Sequence, residues 1–142
     1  MASSVKGIVV EIGGDTSGLQ NALKKVNSVT ASLSKELRGI NSMLKLDPKN
    51  TELLAQKQKI LGDEIALTSK KLEELKQHQK DVESSGQTLT AEQQKNYRNL
   101  QREIVLTENQ LKNLQIQASN WTQVSANLSE FSNKMKGLGD TI

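Results

Sequence analysis

The sequence predicts an all-α protein: an antiparallel helical hairpin or a three-helix, coiled-coil-like bundle, preceded by a short N-terminal β-strand. From Thr16 to Leu138 an apolar residue recurs every three or four positions, which is the period of one face of an α-helix. The 142 residues include only one Trp, one Tyr and one Phe, so the core must be narrow and aliphatic. There is a single proline, and long stretches of Lys, Glu, Gln and Leu favour helices.

Composition removes several classes of function. The chain has no cysteine, which excludes disulfides, thiolate metal sites and a cysteine nucleophile. No signal-peptide pattern is present and the apolar run at residues 8–10 is too short to cross a bilayer, so we expect synthesis in the cytoplasm without membrane contact. The net charge is only +3 and no basic run exceeds two residues, which argues against specific nucleic-acid binding.

Residues 1–15 are predicted to form a strand and a Gly-Gly-Asp turn. Ile8, Val10 and Ile12 alternate in a segment rich in β-branched residues, which is the period of a strand. A lone strand leaves its backbone N–H and C=O groups unpaired, so it must pair with another chain, lie on the helices or be disordered. We hypothesise that it pairs with another subunit. Asp15, Thr16 or Ser17 can cap the helix that follows.

Two helices are predicted on either side of the proline. The first spans residues 16–46 and the second residues 47–83, with Asp47 as N-cap and Pro48 in the first helical position. The first helix has a heptad seam of apolar residues: Leu19, Leu23, Val26, Leu33, Leu37, Ile40 and Leu44. The seam of the second consists of Leu54, Leu61, Ile65, Leu72, Leu75 and Val82. A further apolar stripe beside this second seam predicts contact with more than one neighbouring helix.

A third helix is predicted at residues 91–138, after a loop at 84–90 that contains Gly86 and before a tail at 139–142. Thr90 and Gln93 have the spacing of a capping box. The seam of this helix consists of Tyr97, Leu100, Ile104, Leu111, Leu114 and Trp121, followed after a register slip by Leu128, Phe131 and Met135. Short connections favour antiparallel packing, and the alternative is a rod in which the first two helices are nearly collinear.

No set of residues predicts chemistry. The glycine spacing at Gly13 and Gly18 is that of a phosphate loop, but Leu19 and Gln20 stand where Lys and Ser or Thr are required. His78 is the only histidine and lies off the predicted seam, so we expect a solvated surface residue. We find no nucleophile–base pair, and therefore predict that the protein is not an enzyme and holds no metal or cofactor.

Two segments together carry a resemblance. The first is Val10-Glu11-Ile12-Gly13-Gly14-Asp15-Thr16-Ser17-Gly18-Leu19, and the second is Leu46-Asp47-Pro48-Lys49-Asn50-Thr51-Glu52-Leu53-Leu54. Their order of strand, turn, heptad helix, Asp-Pro-x-Asn turn and second helix resembles the N-terminal region of tail tape measure proteins from long-tailed phages and prophages of Gram-positive bacteria. The resemblance covers at least residues 5–83 and is only compositional after Gly86.

The resemblance implies a structural virion protein of the tail lumen, made in the bacterial cytoplasm, that sets tail length and templates tail-tube assembly. It also implies partners: copies of the chain itself, the major tail (tube) protein, tail assembly chaperones and tail-tip proteins, with no small-molecule substrate. Even as one continuous helix, the chain would span only about 210 Å, so we expect a fragment of a longer protein. The alternative is a stand-alone coiled-coil chaperone or scaffold that binds a client through its helical hairpin.

Overall fold

Three long helices dominate the structure, a computed structural model that describes the backbone of residues 5–124 and the side chains of residues 5–119. Helix α1 spans Ser17–Leu46, α2 spans Thr51–Ser84 and α3 spans Ala91–Val124. The all-α prediction is confirmed. The expected continuation of the third helix to residue 138 lies outside the described residues.

Helix α2 is the middle helix of the bundle and packs against both α1 and α3. The buried contacts show that each helix runs antiparallel to the one before it, because Leu23 and Leu75 share one end of the bundle while Ile40 and Leu61 share the other. The collinear rod considered for α1 and α2 is therefore wrong. Each helix of 30 or 34 residues is about 45 to 51 Å long, which sets the length of the bundle.

Two apolar clusters form the core, one at each end of the bundle. The cluster beside the α1–α2 turn contains Leu37, Ile40, Leu53, Ile60, Leu61, Ile65, Leu114 and Ala118. The cluster beside the α2–α3 loop contains Val5, Val9, Leu23, Leu75, Leu100 and Ile104. The second cluster thus includes residues that precede the first long helix.

The turn between α1 and α2 differs from the predicted one. Asp47 ends α1, and its carbonyl accepts the N–H of Asn50 across a tight turn that has Pro48 at its first central position. Asn50 is the N-cap of α2, because its Oδ1 accepts the N–H of Leu53 at 3.0 Å. The prediction of Asp47 as N-cap and Pro48 as first helical residue is wrong. Asn50 lies three residues before Leu53, whose free N–H its side-chain oxygen accepts, and Pro48 therefore belongs to the turn and not to the helix.

The α2–α3 loop is fixed at both ends. Gly86 follows the end of α2 with φ +66°, a left-handed conformation that favours glycine. At the start of α3, Thr90 Oγ1 accepts the N–H of Gln93 at 3.1 Å while Gln93 Oε1 accepts the N–H of Thr90 at 2.8 Å. This reciprocal pair is the capping box that the sequence predicts.

The N-terminal strand prediction is wrong within the described residues. Val5–Ile8 form a 3₁₀ turn and residues 9–11 continue without regular secondary structure. The alternating face also differs, because Val5, Val9 and Val10 are buried while Ile8 and Ile12 are only half-buried. The β-branched residues predicted a strand by propensity, but no neighbouring strand is present in the described chain to form a ladder.

The described helices contain no segment long and apolar enough to span a membrane.

Truncating a buried leucine should lower the free energy of unfolding much more than truncating an exposed one. Leu61 is 0% exposed, so Leu61→Ala is expected to lower the free energy of unfolding by about 3 kcal/mol through lost burial and a residual cavity. Leu46 is 88% exposed, and Leu46→Ala should change the same free energy by less than about 0.5 kcal/mol. Urea unfolding followed by circular dichroism measures both, and equal effects would contradict the bundle.

Candidate interaction site

The predicted seam residues lie inside the bundle, where they pack the three helices of this chain together. Every seam residue from Leu19 to Leu114 is buried or half-buried. The buried ones are Leu23, Val26, Leu37, Ile40, Leu54, Leu61, Ile65, Leu75, Val82, Leu100, Ile104 and Leu114. The half-buried ones are Leu19, Leu33, Leu44, Leu72, Tyr97 and Leu111. The side chain of Trp121, and all of Leu128, Phe131 and Met135, lie outside the described residues.

A layer of polar side chains separates the two apolar clusters. Ser34 Oγ of α1 donates to Glu64 Oε2 of α2 at 3.1 Å, and Lys71 Nζ of α2 lies 2.9 Å from Glu103 Oε2 of α3. Thr107 is completely buried and its hydroxyl has no protein partner. Polar contacts between the helices therefore add to the apolar packing of the core.

Glu64 is the most costly member of this layer. It is only 3% exposed, and its Oε1 is buried without a hydrogen-bond partner. Burial raises the pKa of the Glu64 carboxyl, and the hydrogen bond from Ser34 offsets part of that rise. A buried carboxylate that is half satisfied reduces stability at neutral pH.

The most specific arrangement in the described chain is a cradle that holds residues 5–12 against the C-terminal end of α2 and the N-terminal part of α3. We define the cradle by its five polar side chains: His78, Gln87, Gln93, Asn96 and Asn99. They reach residues 68 to 92 positions away along the chain, which makes this the longest-range set of hydrogen bonds described. Val5 and Val9 of the segment pack against Leu75, Leu100 and Ile104 beneath them.

Four side-chain amides of the cradle donate to backbone carbonyls of the segment. The carbonyl of Glu11 accepts from Gln93 Nε2 at 2.6 Å, and the carbonyl of Ile12 accepts from Gln87 Nε2 at 2.9 Å. The carbonyl of Gly7 accepts from Asn99 Nδ2 at 3.1 Å, and that of Val9 accepts from Asn96 Nδ2 at 3.3 Å. These contacts satisfy backbone groups that a lone strand would leave unpaired.

Two of these amides are held in the donating orientation because the oxygen of the same amide accepts a second hydrogen bond. Gln93 Oε1 accepts the Thr90 N–H in the capping box, so its Nε2 points to Glu11. Asn99 Oδ1 accepts from Arg102 Nη1 at 3.0 Å, so its Nδ2 points to Gly7. Gln93 therefore both caps the start of α3 and donates to the docked segment.

His78 contradicts the expectation of a solvated surface residue. It is only 6% exposed, and its Nε2 accepts the N–H of Val10 at 3.0 Å. Burial lowers the pKa of His78, and the nearby Asp81 carboxylate offsets part of that decrease. The sequence argument failed because the residues that cover His78 precede it by 68 positions.

The sequence contains one signal that would have indicated the cradle. Gln93, Asn96 and Asn99 recur every three residues beside the Tyr97–Leu100–Ile104 seam, so they form a row of amides along one edge of a helix. Nothing in the sequence shows what such a row would bind.

The described residues offer little that could hold a small ligand. No group of three or more His, Cys, Asp or Glu residues lies close enough together to bind a metal ion within the described part of the chain. A surface hollow of about 510 Å³ is lined by Arg98, Gln101, Arg102, Val105 and Leu106, all on α3. Because a single helix lines it, this hollow is an open face and does not enclose a ligand.

Comparisons with known proteins point to one class of protein. The chain is 40% identical over 77 residues, or 54% of its length, to a probable tape measure protein of Lactococcus phage SK1. It is 44% identical over 50 residues to the tape measure protein of Lactococcus phage F4-1, and 45% identical over 47 residues to a probable tape measure protein of Lactococcus phage p2. These stretches are 35% and 33% of the chain. No family model and no solved structure matches it.

These matches, with the helical bundle, relate the chain to structural proteins of phage tails. Within that class it is similar to tape measure proteins, and this agrees with the resemblance read from the sequence. The match covers 8%, 14% and 5% of the three relatives, so the chain corresponds to a small part of each.

Replacing the donor group of Gln93 by an acceptor should weaken the docking of residues 5–12 without weakening α3. Gln93→Glu keeps an oxygen for the capping box but places a carboxylate against the Glu11 carbonyl, where an N–H now donates. We expect docking of residues 5–12 to weaken by about 1 to 2 kcal/mol, seen as faster amide hydrogen exchange in that segment. Gln110→Glu, on an exposed part of the same helix, is the control. Equal exchange in both variants would contradict the cradle.

Removing the buried charge of Glu64 should stabilise the protein in a pH-dependent way. The folded-state pKa of Glu64 is raised, so the native state carries a penalty above that pKa and loses it as the pH falls toward the unfolded value of 4.5. Glu64→Gln should therefore be more stable than the unmodified protein at pH 7, with a gain that shrinks toward pH 4.5. Thermal unfolding at several pH values measures this gain, with the exposed Glu36→Gln as control. A constant gain would show that Glu64 titrates normally.

Proposed function

We propose that this chain is part of a tape measure protein, and that it contributes to setting tail length and to templating assembly of the tail tube. The observation that carries the proposal is the 40% identity to the phage SK1 protein over more than half of the chain. This part of the protein acts mechanically and without catalysis, as an elongated helical element. The proposed site of synthesis is the host cytoplasm, and the proposed place of action is the lumen of the virion tail.

The shape of the bundle supports a spacer role. Its helices lie side by side, so the longest dimension is that of one 34-residue helix, about 51 Å. The same helices placed end to end would extend about 150 Å. A folded bundle therefore contributes about a third of the length that a continuous helix would contribute.

Exposed apolar side chains on the outer face of α3 support the proposed macromolecular partners. Val105 and Ile116 are 54% and 47% exposed and lie about three turns apart on the same side of the helix, facing away from α2. Leu106 adds a further 56%-exposed side chain nearby. A partner that covers this face would bury them. We propose copies of the chain, the major tail protein, the tail assembly chaperones and the tail-tip proteins as such partners.

Tail length in a phage that carries this chain within its tape measure protein tests the spacer role. In-frame deletion of residues 5–124 should shorten the tail by about 50 Å if the bundle persists in the tail, and tandem duplication of the same residues should lengthen it by a similar amount. Electron microscopy of purified virions measures both. Changes of about 150 Å would mean that the helices are arranged end to end, and tails of unchanged length would contradict the spacer role.

A further inference from the structure

His78 occupies a chemically distinct place in the cradle. The four amides of the cradle donate to carbonyls, whereas His78 is the acceptor for a backbone N–H. Val10, which provides that N–H, is 0% exposed, and His78 is 6% exposed. The contact is therefore sealed from water on both sides, and water cannot replace the acceptor while the segment stays docked.

Protonation would convert this contact from attractive to repulsive. A neutral imidazole accepts a hydrogen bond at one nitrogen, whereas an imidazolium is a donor at both. A protonated Nε2 would point its N–H at the N–H of Val10, at a site where the charge is also shielded from water. The amide–carbonyl contacts of the cradle do not titrate near neutral pH, so a proton would act at His78 alone among the five polar side chains.

The charges on neighbouring elements do not cancel this effect. On α2 itself, Asp81 lies one turn after His78 and favours the imidazolium, while Glu74 lies one turn before it. Lys71, further along α2, is paired with Glu103 of α3. The docked segment contributes Lys6 and Glu11, which are exposed.

The outer helices bring charges of both signs to this end of the bundle. On α1 these include Lys24 and Lys25, and on α3 they include Glu92, Lys95 and Arg98, all exposed. Glu83, near the end of α2, accepts a hydrogen bond from the Tyr97 hydroxyl of α3. The balance of burial and charge holds the pKa of His78 below its ordinary value, with Asp81 acting in the opposite direction.

We propose that His78 is a proton-sensitive latch, which holds residues 5–12 in the cradle at neutral pH and increases the population of the released state as the solution becomes mildly acidic. Release requires no change in the helices. Gly13 and Gly14, with φ of +89° and +143°, are exposed and join the segment to α1, so rotation there frees the segment and leaves α1 folded. The released state uncovers the apolar surface of Leu75, Leu100 and Ile104.

The direction of the pH dependence follows from linkage. In the released state His78 is exposed and titrates near 6.5, whereas the docked state binds a proton only at lower pH. Docking is therefore strongest above pH 6.5 and weakens as the pH falls below it. At pH 5.5 proton binding multiplies the released population by up to about ten.

Nuclear magnetic resonance of the intact chain tests the latch directly, because His78 is the only histidine and gives a single set of imidazole signals. The expected results are a His78 pKa below 6.5 and a protection factor of the Val10 amide that falls by up to about tenfold between pH 7.5 and pH 5.5. A His78 pKa at or above 6.5 would overturn the proposal, and so would a Val10 protection factor that does not change.

Two variants separate the latch from general acid destabilisation. His78→Gln retains a carbonyl oxygen that can accept the Val10 N–H but cannot titrate, so the pH dependence of Val10 protection should disappear. Asp81→Asn removes the carboxylate that favours the imidazolium, so release should move to lower pH. The amide of Leu61, in the cluster at the other end of the bundle, is the internal control. If His78→Gln folds and Val10 still loses protection as the unmodified protein does, His78 is not the latch.

Discussion

The bundle depends on the ability of α2 to bury two sides at once. Its buried residues include both the predicted seam and the neighbouring stripe that contains Leu53 and Ile60, so α2 can contact α1 on one side and α3 on the other. A helix with a single narrow seam would support only a hairpin. The turn at residues 47–50 and the loop at 85–90 reverse the chain at each end of α2, so one helix organises the core of the entire described chain.

Residues 5–12 show how a short segment is held on a fold that contains no described strand. Three valines supply apolar contact, while the side chains of the cradle satisfy the backbone. Because these side chains hydrogen-bond to backbone groups of residues 5–12, they hold the segment in position without a β-sheet. The segment is thus held by contacts of its own, whereas the helices depend on one another through α2.

The sequence predicts the helices well because their information is local and periodic: the apolar spacing from Leu19 to Leu114 and the Thr90–Gln93 capping box. Its errors occur where residues distant in sequence decide the outcome. β-branched propensity predicts a strand at residues 5–12, but the side-chain amides that bind this segment lie on α3 and on the loop before it. The position of His78 off the seam predicts a solvated side chain, but residues 68 positions away in the sequence cover it. Asp-Pro is a strong local signal that favours Asp47 as a cap, although Asn50 has the better position relative to the first free N–H.

The folding back of α1 onto α2 is the central claim, and one distance tests it most directly. Ser28 on α1 and Lys70 on α2 are both exposed and lie at a similar level of the bundle, and the chain has no cysteine to interfere with spin labels attached at introduced cysteines. Pulsed electron paramagnetic resonance between labels at these positions should give a distance below about 30 Å, since two adjacent helices are about 10 Å apart and the labels add their own length. If α1 and α2 were collinear, the separation would be about 60 Å. That longer distance would contradict the bundle.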